Sequence, residues 1–372
     1  MKRARELASR LNGFNVDEYR FDTVIRRIVA VTNRLIRKND TKAGEYVRNM
    51  LSGLFQIYHD DPEAAKQFPS NVNVRVFSRS GALRNARELY FGKEYSIGGI
   101  MEALYSRIDD TVFLPKKETL GLGDENESEV VEFLKWIGVE EYPGVTQKSQ
   151  RGEDFISAYE EYVLRNLPYP YKTDREEVYD SYEKLKRDKA LTSEMVVASI
   201  SELDAILAKA DFEVILAWLY SDHRVKQIIE NGHEPENSSF GIWFTYKQTT
   251  RDVRAEHINS FILWKLKTTE WIRTRSGKKV RPDVCCLSKT IIDMSPLIEV
   301  PAYNMGHEAF KEHNVRQEDV EYIFEKVGAA RDFGKLSDET IYAILANLES
   351  ADPHGKKART IYRQIIQANG VG

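Results

Sequence analysis

The stretch from Val76 to Arg84 reads Val-Phe-Ser-Arg-Ser-Gly-Ala-Leu-Arg, and a second stretch, Ile272 to Arg281, reads Ile-Arg-Thr-Arg-Ser-Gly-Lys-Lys-Val-Arg. In each, apolar residues flank a turn that ends in Ser-Gly, and glycine supplies the positive φ that a tight hairpin turn needs. The two stretches therefore predict two β-hairpins. They align with one residue inserted after the glycine of the second copy.

A second similarity lies downstream of each hairpin. Phe133–Val139 parallels Ile323–Ala329, and both stretches carry an apolar helical pattern that stops at a glycine, Gly138 or Gly328. We therefore predict an α+β chain, mainly helical, made of two related halves, each with a small β-hairpin or sheet flanked by helices. A chance likeness between short hairpins is the alternative. Repeated modules favour an extended binding scaffold over one compact catalytic centre.

The junction between the halves is predicted near residues 167–172. This stretch contains Pro168 and Pro170, and two closely spaced prolines cannot continue a helix. The prediction gives an N-terminal helical plus hairpin module over residues 1–166. A C-terminal helical plus hairpin module with a helical tail follows over residues 173–372.

Apolar periodicity predicts helices in both modules. Within residues 16–38, the apolar face is expected to carry Val24, Ile28, Val31 and Leu35. A second helix is expected after Asp40, ending at the Asp61–Pro62 pair. Further helices are expected over 151–166, 174–188, 193–208 and 211–220, a strand over 240–246, and a C-terminal helix capped by Asp352.

Composition limits the class of protein. The 372 residues include 42% hydrophobic and 30% charged residues, with a net charge of −4, which suits a sizeable core under a solvated surface. No run approaches the length of a membrane span, and the N-terminus becomes charged too early for a signal peptide. The only cysteines, Cys285 and Cys286, are adjacent, which disfavours a disulfide between them. These features predict a cytoplasmic protein without a membrane partner.

Local basic charge raises the possibility of nucleic-acid contact. Residues 1–50 hold twelve Lys or Arg against six Asp or Glu, and residues 270–290 hold six against two. A β-ribbon with such a tip can follow a phosphate backbone, and an aromatic ring at its base can stack on a nucleobase. The alternative is a solvated tip with the tryptophan in the core. The candidate nucleic-acid-binding residues are Trp271, Arg273, Arg275, Lys278, Lys279 and Arg281.

Local motifs for catalysis are incomplete. His307 and His313 are too far apart to share one face of a helix as zinc ligands do. Asp283 and Glu299 resemble part of a nuclease core, but the lysine that should follow the second acid is missing. Residues 354–357 form a basic stretch at a predicted helix start, which suits an anion or simply a capped helix. We assign no catalytic residue, no metal ligand and no cofactor.

Three stretches in the same order resemble one family. The first is Glu88–Tyr95, which reads Glu-Leu-Tyr-Phe-Gly-Lys-Glu-Tyr, and the second is Glu270–Pro282, around the second hairpin. The third, 333–366, contains Leu-Ser-Asp-Glu-Thr-Ile-Tyr and then Asp-Pro-His-Gly-Lys-Lys-Ala. Over 72–139 and 255–366, the chain resembles the region that follows the ATPase domain in large bacterial proteins with a sacsin-like ATP-binding domain of the GHKL type.

The resemblance implies a part of such a system other than its ATPase. Nucleotide binding in that family uses an Asp-x-Gly-x-Gly loop, whereas Leu120–Asp124 reads Leu-Gly-Leu-Gly-Asp, so no cofactor-binding residue is carried over. The implied role is a non-enzymatic scaffold or regulatory module, and its partner is a large ATPase or the remainder of one. Bacterial defence against phage belongs to the whole assembly. A nucleic-acid-binding component is the alternative, and an enzyme with a dispersed site is a third class.

Overall fold

A computed structural model describes residues 21–69, 71–149, 155–166, 171–172, 177–178, 191–233, 241–246, 249–252, 258–287, 294 and 297–368. The described residues confirm a mainly helical α+β fold with small antiparallel hairpins flanked by helices. The chain divides into two compact units, Met1–Gly144 and Val145–Gly372. This division precedes the predicted junction at 167–172, because Val145–Ser149 pairs as a strand with Leu191–Ile200 of the second unit.

The N-terminal unit is built from helices around one hairpin. In chain order its elements are α1 (Phe21–Lys38), α2 (Ala43–Asp60), α3 (Pro62–Lys66), β1 (Arg75–Phe77), β2 (Leu83–Asn85), α4 (Gly99–Tyr105) and α5 (Glu127–Trp136). Asp61 links α2 to α3, since its carboxylate accepts hydrogen bonds from the amides of Glu63 and Ala64 at 3.1 and 3.4 Å. The predicted stop at Asp61–Pro62 is therefore a capped restart, with proline in the first turn.

The buried face of α1 differs from the predicted face by one residue. The core receives Ile25, Val29, Thr32 and Ile36, whereas Val31 is 48% exposed and Leu35 is 37% exposed. Both sets have helical spacing, and a shift of one position rotates the face by about 100°. Val24 and Ile28 of the predicted face are partly buried against the same core, so periodicity identified the helix and placed the centre of its buried face one residue too early.

The first hairpin is attached to the core of the N-terminal unit by backbone hydrogen bonds. Strand β1 pairs with β2, and the amide of Ser78 donates to the carbonyl of Ala82 at 2.8 Å across a turn in which Gly81 has φ 83°. The Arg79 amide then donates to the Phe113 carbonyl at 2.7 Å. Just after the hairpin, the carbonyl of Leu89 accepts a hydrogen bond from the Glu140 amide at 3.1 Å.

The C-terminal unit contains more elements. They are β3 (Val145–Ser149), α6 (Phe155–Arg165), β4 (Tyr171–Lys172), β5 (Glu177–Val178), β6 (Leu191–Ile200), α7 (Leu203–Lys209), α8 (Phe212–Ser221), α9 (His223–Asn231), β7 (Gly241–Tyr246), β8 (Thr249–Asp252), α10 (Phe261–Thr268), β9 (Ile272–Arg273), β10 (Lys279–Val280), α11 (Glu308–Glu312), α12 (Gln317–Val327), α13 (Asp338–Ala351) and α14 (Ala358–Ala368). Strands β3, β6, β7 and β8 form one antiparallel sheet in that order.

The predicted helix over 193–208 is wrong in its first half. Residues 191–200 form β6, the strand between β3 and β7, and the helix starts only at Leu203. The run Met195–Ile200 contains three β-branched residues, which fit a sheet better than a helix. The strand predicted over 240–246 is confirmed as β7. Of the helix predicted over 174–188, the described part, Glu177–Val178, is a strand, and the rest lies outside the described residues.

The second hairpin repeats the bonds of the first. The Thr274 amide donates to the Lys278 carbonyl at 3.0 Å, Gly277 has φ 83°, and the Arg275 amide donates to the Val300 carbonyl at 3.1 Å. The Cys285 carbonyl accepts from the Ala330 amide at 2.9 Å, as the Leu89 carbonyl does from Glu140. The predicted relation between the two halves therefore extends to individual hydrogen bonds.

The strand register corrects the sequence alignment of the two hairpins. Val76 pairs with Arg84, and Ile272 pairs with Val280 at the same separation along the chain. The second copy therefore has no residue inserted after the glycine. Similar side chains at the ends of the strands suggested the insertion, whereas pairing depends on the backbone and keeps both turns at one length.

The helix after each hairpin also ends in the same way. Gly138 has φ 106° after α5, and Gly328 has φ 109° after α12. The amide of the next residue, Val139 or Ala329, donates to a carbonyl in the last turn of its helix at 2.9 or 2.8 Å. Glycine adopts the left-handed conformation of this helix cap without strain. Within the described part of the chain, no helix is long and apolar enough to cross a membrane.

Replacing Gly138 by Ala is expected to lower the free energy of unfolding by about 1–2 kcal/mol, because an L-residue is strained at positive φ. The added Cβ would also lie 2.7 Å from Cγ of Arg87, so that side chain has to move. The matched control Gly53→Ala lies inside α2 with open space around the added Cβ, and should raise stability by about 0.5–1 kcal/mol. Urea unfolding of both variants checks this. A loss of stability in Gly53→Ala equal to that in Gly138→Ala would contradict it.

Candidate functional site: the basic hairpin and its cleft

Trp271 lies at the base of the second hairpin, inside the core. Its side chain is 0% exposed, its Nε1 donates to the Leu266 carbonyl at 2.8 Å, and its ring packs on Phe212 at 5.8 Å between centroids. A buried indole with its donor satisfied presents no face to a nucleobase. The structure thus favours the core alternative for this residue over the stacking role.

Arg273 holds a buried acid of the same unit. Its Nη2 lies 2.5 Å from Oε1 of Glu213, whose side chain is 4% exposed, and its guanidinium also donates to the Ala302 carbonyl at 3.2 Å. Glu213 further accepts a hydrogen bond from the Asn304 amide at 3.0 Å. Because a buried carboxylate needs such partners, the charge of Arg273 is used within the fold.

Lys279 and Arg281 also have partners within the unit. The Lys279 Nζ donates to the carbonyls of Leu207 and Ala208 at 3.0 and 2.7 Å, which satisfies the last turn of α7. Burial lowers the pKa of Lys279. Arg281 binds Asp283 through two hydrogen bonds of 2.8 and 3.2 Å. Lys279 and Arg281 therefore bind groups of their own unit.

All five basic residues of the hairpin are exposed, but two of them have side chains without a partner among the described residues. Arg275 and Lys278 are exposed, and neither side chain has a hydrogen bond or ion pair within the part of the chain that the structure describes. The six candidate residues therefore do not form one basic surface. A nucleic-acid contact at this hairpin would rest mainly on Arg275 and Lys278, since Arg273 and Arg281 are paired with acids and Lys279 is bound to two carbonyls.

A cleft of about 400 Å³ lies beside the second hairpin in the C-terminal unit. Its walls carry polar side chains from the hairpin, the segment after Val300 and helix α12. Those of interest for binding are Arg273, Arg275, Tyr303, Asn304, Gln317 and Glu321. The lining offers two exposed guanidinium groups, of which Arg273 is paired with Glu213, together with neutral donors and acceptors and the Glu321 carboxylate, which accepts a hydrogen bond from Gln317 at 2.6 Å. It suits a small polar group better than a long polyanion.

The N-terminal unit has an equivalent cleft of about 550 Å³ beside its own hairpin. Phe77 and Arg79 line it at the positions that Arg273 and Arg275 occupy in the other unit. Here the guanidinium is already bound. Arg79 makes hydrogen bonds of 3.0 and 3.1 Å to both carboxylate oxygens of Glu102, pairs with Asp110, and lies 5.0 Å above the Phe113 ring.

The two histidines considered as zinc ligands lie at the two ends of one short helix. His307 caps the start of α11 by accepting a hydrogen bond from the Ala309 amide at 3.2 Å, and His313 follows the last residue of that helix.

Asp352 does not cap a helix at Pro353, because α14 starts at Ala358. Its carboxylate accepts hydrogen bonds from the amides of Lys356, Lys357 and Ala358 at 2.6–2.9 Å. These bonds occupy amides that the anion hypothesis required. Within the described residues, no three His, Cys, Asp or Glu cluster as metal ligands.

Sequence reasoning missed the acids that bind the arginines. Glu213 lies in an apolar run, Phe-Glu-Val-Ile-Leu-Ala-Trp-Leu, and a lone charge in such a run is a signal of an internal ion pair. Glu102 and Asp110 have no comparable signal, since both lie in ordinary mixed stretches. Only the return of the chain to the hairpin brings them to Arg79.

Exposed apolar side chains form a second kind of candidate surface. On α14, Tyr362 is 53% exposed and Ile366 is 50% exposed, and their spacing places them on one face of the helix. On α1 of the other unit, Val31 and Leu35 have the same spacing. Tyr342 on α13 is also exposed, at 72%. An exposed tyrosine beside an exposed aliphatic side chain can serve as a protein contact, because aromatic residues are enriched at such interfaces.

Comparisons with protein-family models, with curated proteins and with solved structures find no match to this chain.

The variant Arg273→Ala is expected to lower the free energy of unfolding by about 1–3 kcal/mol, because it leaves the Glu213 carboxylate without its cation. The loss should be smaller than for a fully buried pair, because Arg273 itself is partly solvated. The control Lys278→Ala removes the same charge from the same hairpin and should change stability by less than about 0.5 kcal/mol. Chemical denaturation measures both, and equal losses would show that Arg273 has no special structural role.

Proposed function

We propose that this chain is a non-enzymatic scaffold or regulatory module of a sacsin-like ATPase system that acts through protein–protein contacts. The observation that carries the proposal is that most of the side chains predicted to bind nucleic acid at the second hairpin contact groups within their own unit. Trp271 is buried, and Arg273, Lys279 and Arg281 bind partners within their own unit. The residues that best supported nucleic-acid binding thus have structural roles, which favours the interaction module.

The repeated architecture supports the same proposal. Two units that share a hairpin, its anchoring bonds and a glycine-capped helix resemble modules of an interaction scaffold. The resemblance to the region after a GHKL ATPase domain covers these hairpins and the C-terminal helices. The partner in this proposal is a large ATPase, or the remainder of one. A role in phage defence belongs to the complete assembly.

The contact surface in this proposal includes the apolar face of α14. Tyr362 and Ile366 are about half exposed, while their neighbour Ile361 is buried in the core. Tyrosine combines a large apolar ring with a polar tip, and it is enriched at protein interfaces. Burying both side chains against a partner would remove apolar area from water and favour association.

Nucleic-acid binding is the second candidate, and it also rests on a specific observation. Arg275 and Lys278 are exposed on the hairpin, and α1 exposes Arg26, Arg27 and Arg34. Binding by these side chains would be mainly electrostatic and would weaken steeply as salt is raised. Contacts through Tyr362 and Ile366 would persist, because apolar burial is not screened by salt.

Capture of partners on the immobilised full chain tests the proposal. A nuclease-treated native lysate is passed over it at low and at high salt, and the proposal predicts recovery of a large GHKL-type ATPase under both conditions. Tyr362→Ala/Ile366→Ala is expected to abolish that recovery. The control Arg363→Ala/Gln367→Ala, which changes two exposed polar side chains of the same helix, should leave it intact.

The opposite pattern would contradict the proposal. In that case, omission of the nuclease leads to recovery of nucleic acid that is lost at high salt, with no stable protein partner. Recovery should then fall with Arg275→Ala/Lys278→Ala. Lys279 is kept in this variant, because its ammonium group satisfies the carbonyls that end α7 and its loss would disturb the fold.

A further inference from the structure

The clefts beside the two hairpins differ in chemistry. Phe77 lines the N-terminal cleft at the hairpin position that Arg273 occupies in the other unit. An aromatic ring therefore replaces a guanidinium in the lining. The N-terminal cleft is also the larger, at about 550 Å³ against about 400 Å³. Its chemistry suits a ligand with a substantial apolar part.

The inner side of the N-terminal cleft is apolar. Val47 of α2 and Leu120 are each 2% exposed, Pro115 is buried, and Phe77 is partly buried against the same core. Small-molecule sites in proteins are concave, largely apolar and about 300–1,000 Å³ in volume, with a few polar groups that fix the ligand's orientation. The cleft has this size and this kind of lining.

A glycine keeps the cleft open on the side of α2. Gly44 lies in the first turn of that helix and lines the cleft. A Cβ added there would meet only Nη1 of Arg48, at 3.7 Å, which is an ordinary contact distance. Alanine would therefore fit, and it favours a helix more than glycine does. A larger side chain at this position would enter the cleft.

Arg48 brings a positive charge to the same place. Its aliphatic stem packs along Gly121, where an added Cβ would lie 3.3–3.4 Å from three carbons of the arginine side chain. Its Nη1 is the atom closest to the Cβ position of Gly44. A guanidinium whose stem is already packed loses less conformational freedom when it binds an anion.

The charges of the lining favour one negative group over a polyanion. The lining contains three basic side chains, Arg48, Arg79 and Lys116, and one acid, Glu94. Two acids outside the lining bind Arg79, and the Lys116 ammonium lies 3.6 Å from the Glu94 carboxylate. Most of the positive charge is thus balanced, so a single carboxylate is attracted while a chain of phosphates also meets Glu94.

We propose that the N-terminal cleft binds a small aromatic carboxylate. The ring of the ligand contacts Phe77 and the buried apolar side chains, and its carboxylate accepts hydrogen bonds from the Arg48 guanidinium. Offset or edge-to-face packing on Phe77 favours an aromatic body over an aliphatic one, and the charge-assisted hydrogen bonds select an acid over a neutral molecule.

This site is a further function, separate from the protein contacts proposed above. It lies in the N-terminal unit, whereas the contacts proposed for Tyr362 and Ile366 lie on α14 of the other unit. Partner capture can fail while the cleft binds its ligand, and the reverse can also occur. The two proposals are tested by different variants and different readouts.

Methyl NMR of the full chain tests the site directly. The methyl groups of Val and Leu are labelled with ¹³C, and the signals of Val47 and Leu120 are assigned as those lost in Val47→Ile and Leu120→Ile. The probe is 2-naphthoate, and its controls are neutral 2-naphthalenemethanol and acetate. Both signals should shift with 2-naphthoate, at an affinity about three- to tenfold higher than for the alcohol and at least about tenfold higher than for acetate.

Two pairs of variants locate the ligand. Gly44→Leu fills the cleft and should abolish binding, whereas Gly53→Leu makes the same change in α2 outside the lining and should leave it intact. Arg48→Gln should lower the affinity for 2-naphthoate about three- to tenfold and change that for the alcohol by less than about twofold. Lys42→Gln removes an exposed charge outside the lining and should change both affinities by less than about twofold.

Three results would overturn the proposal. The first is that the Val47 and Leu120 signals do not move with 2-naphthoate, and the second is equal affinity for the acid and the alcohol. The third is unchanged binding in Gly44→Leu. Circular dichroism checks that this variant is folded. If Gly44→Leu does not fold, Arg48→Gln decides, and an unchanged preference for the acid in that variant would contradict the proposal.

Discussion

The structure depends on how a very short hairpin is anchored. Strands of two or three residues cannot persist alone in water, because a two-stranded ribbon buries too little surface to offset its loss of conformational entropy. In each unit, the amide of the hairpin arginine, Arg79 or Arg275, donates to a carbonyl of a returning segment. This bond, together with the one that ties the following segment to the glycine-capped helix, fixes the hairpin and places its arginine beside a cleft.

Local features of the fold could be predicted from the sequence. Both hairpins, the helix α2 and the glycine stops at Gly138 and Gly328 depend on neighbouring residues, so their signals are local. Non-local features could not be predicted reliably. The strand β6 was mistaken for a helix because its pairing with β3 and β7 is not visible in its own residues. The face of α1 was displaced for a similar reason, since only packing selects between two apolar stripes.

The features of the candidate site can likewise be separated into local ones, which the sequence predicts, and non-local ones, which require the fold. The concentration of basic residues on the second hairpin is a sequence property, and it suggested a phosphate-binding surface. Glu213, the end of α7 and the acids around Arg79 are far away along the chain, so their pairing with the hairpins required the fold. Those partners show that most of the basic side chains of the second hairpin have structural roles. Arg275 differs from its counterpart Arg79, because Arg79 is bound to Glu102.

Native-state hydrogen exchange, resolved by residue, tests most directly whether one set of bonds builds both units. The amides of Arg79 and Arg275 should exchange much more slowly than those of Ser80 and Ser276 at the exposed tips, because the arginine amides open only when their unit unfolds locally or globally. For each arginine amide, the free energy of opening should be a similar fraction of the unfolding free energy of its unit. Exchange of the Arg79 and Arg275 amides as fast as the tip amides would contradict the account, since the hairpins would then not be anchored to their cores.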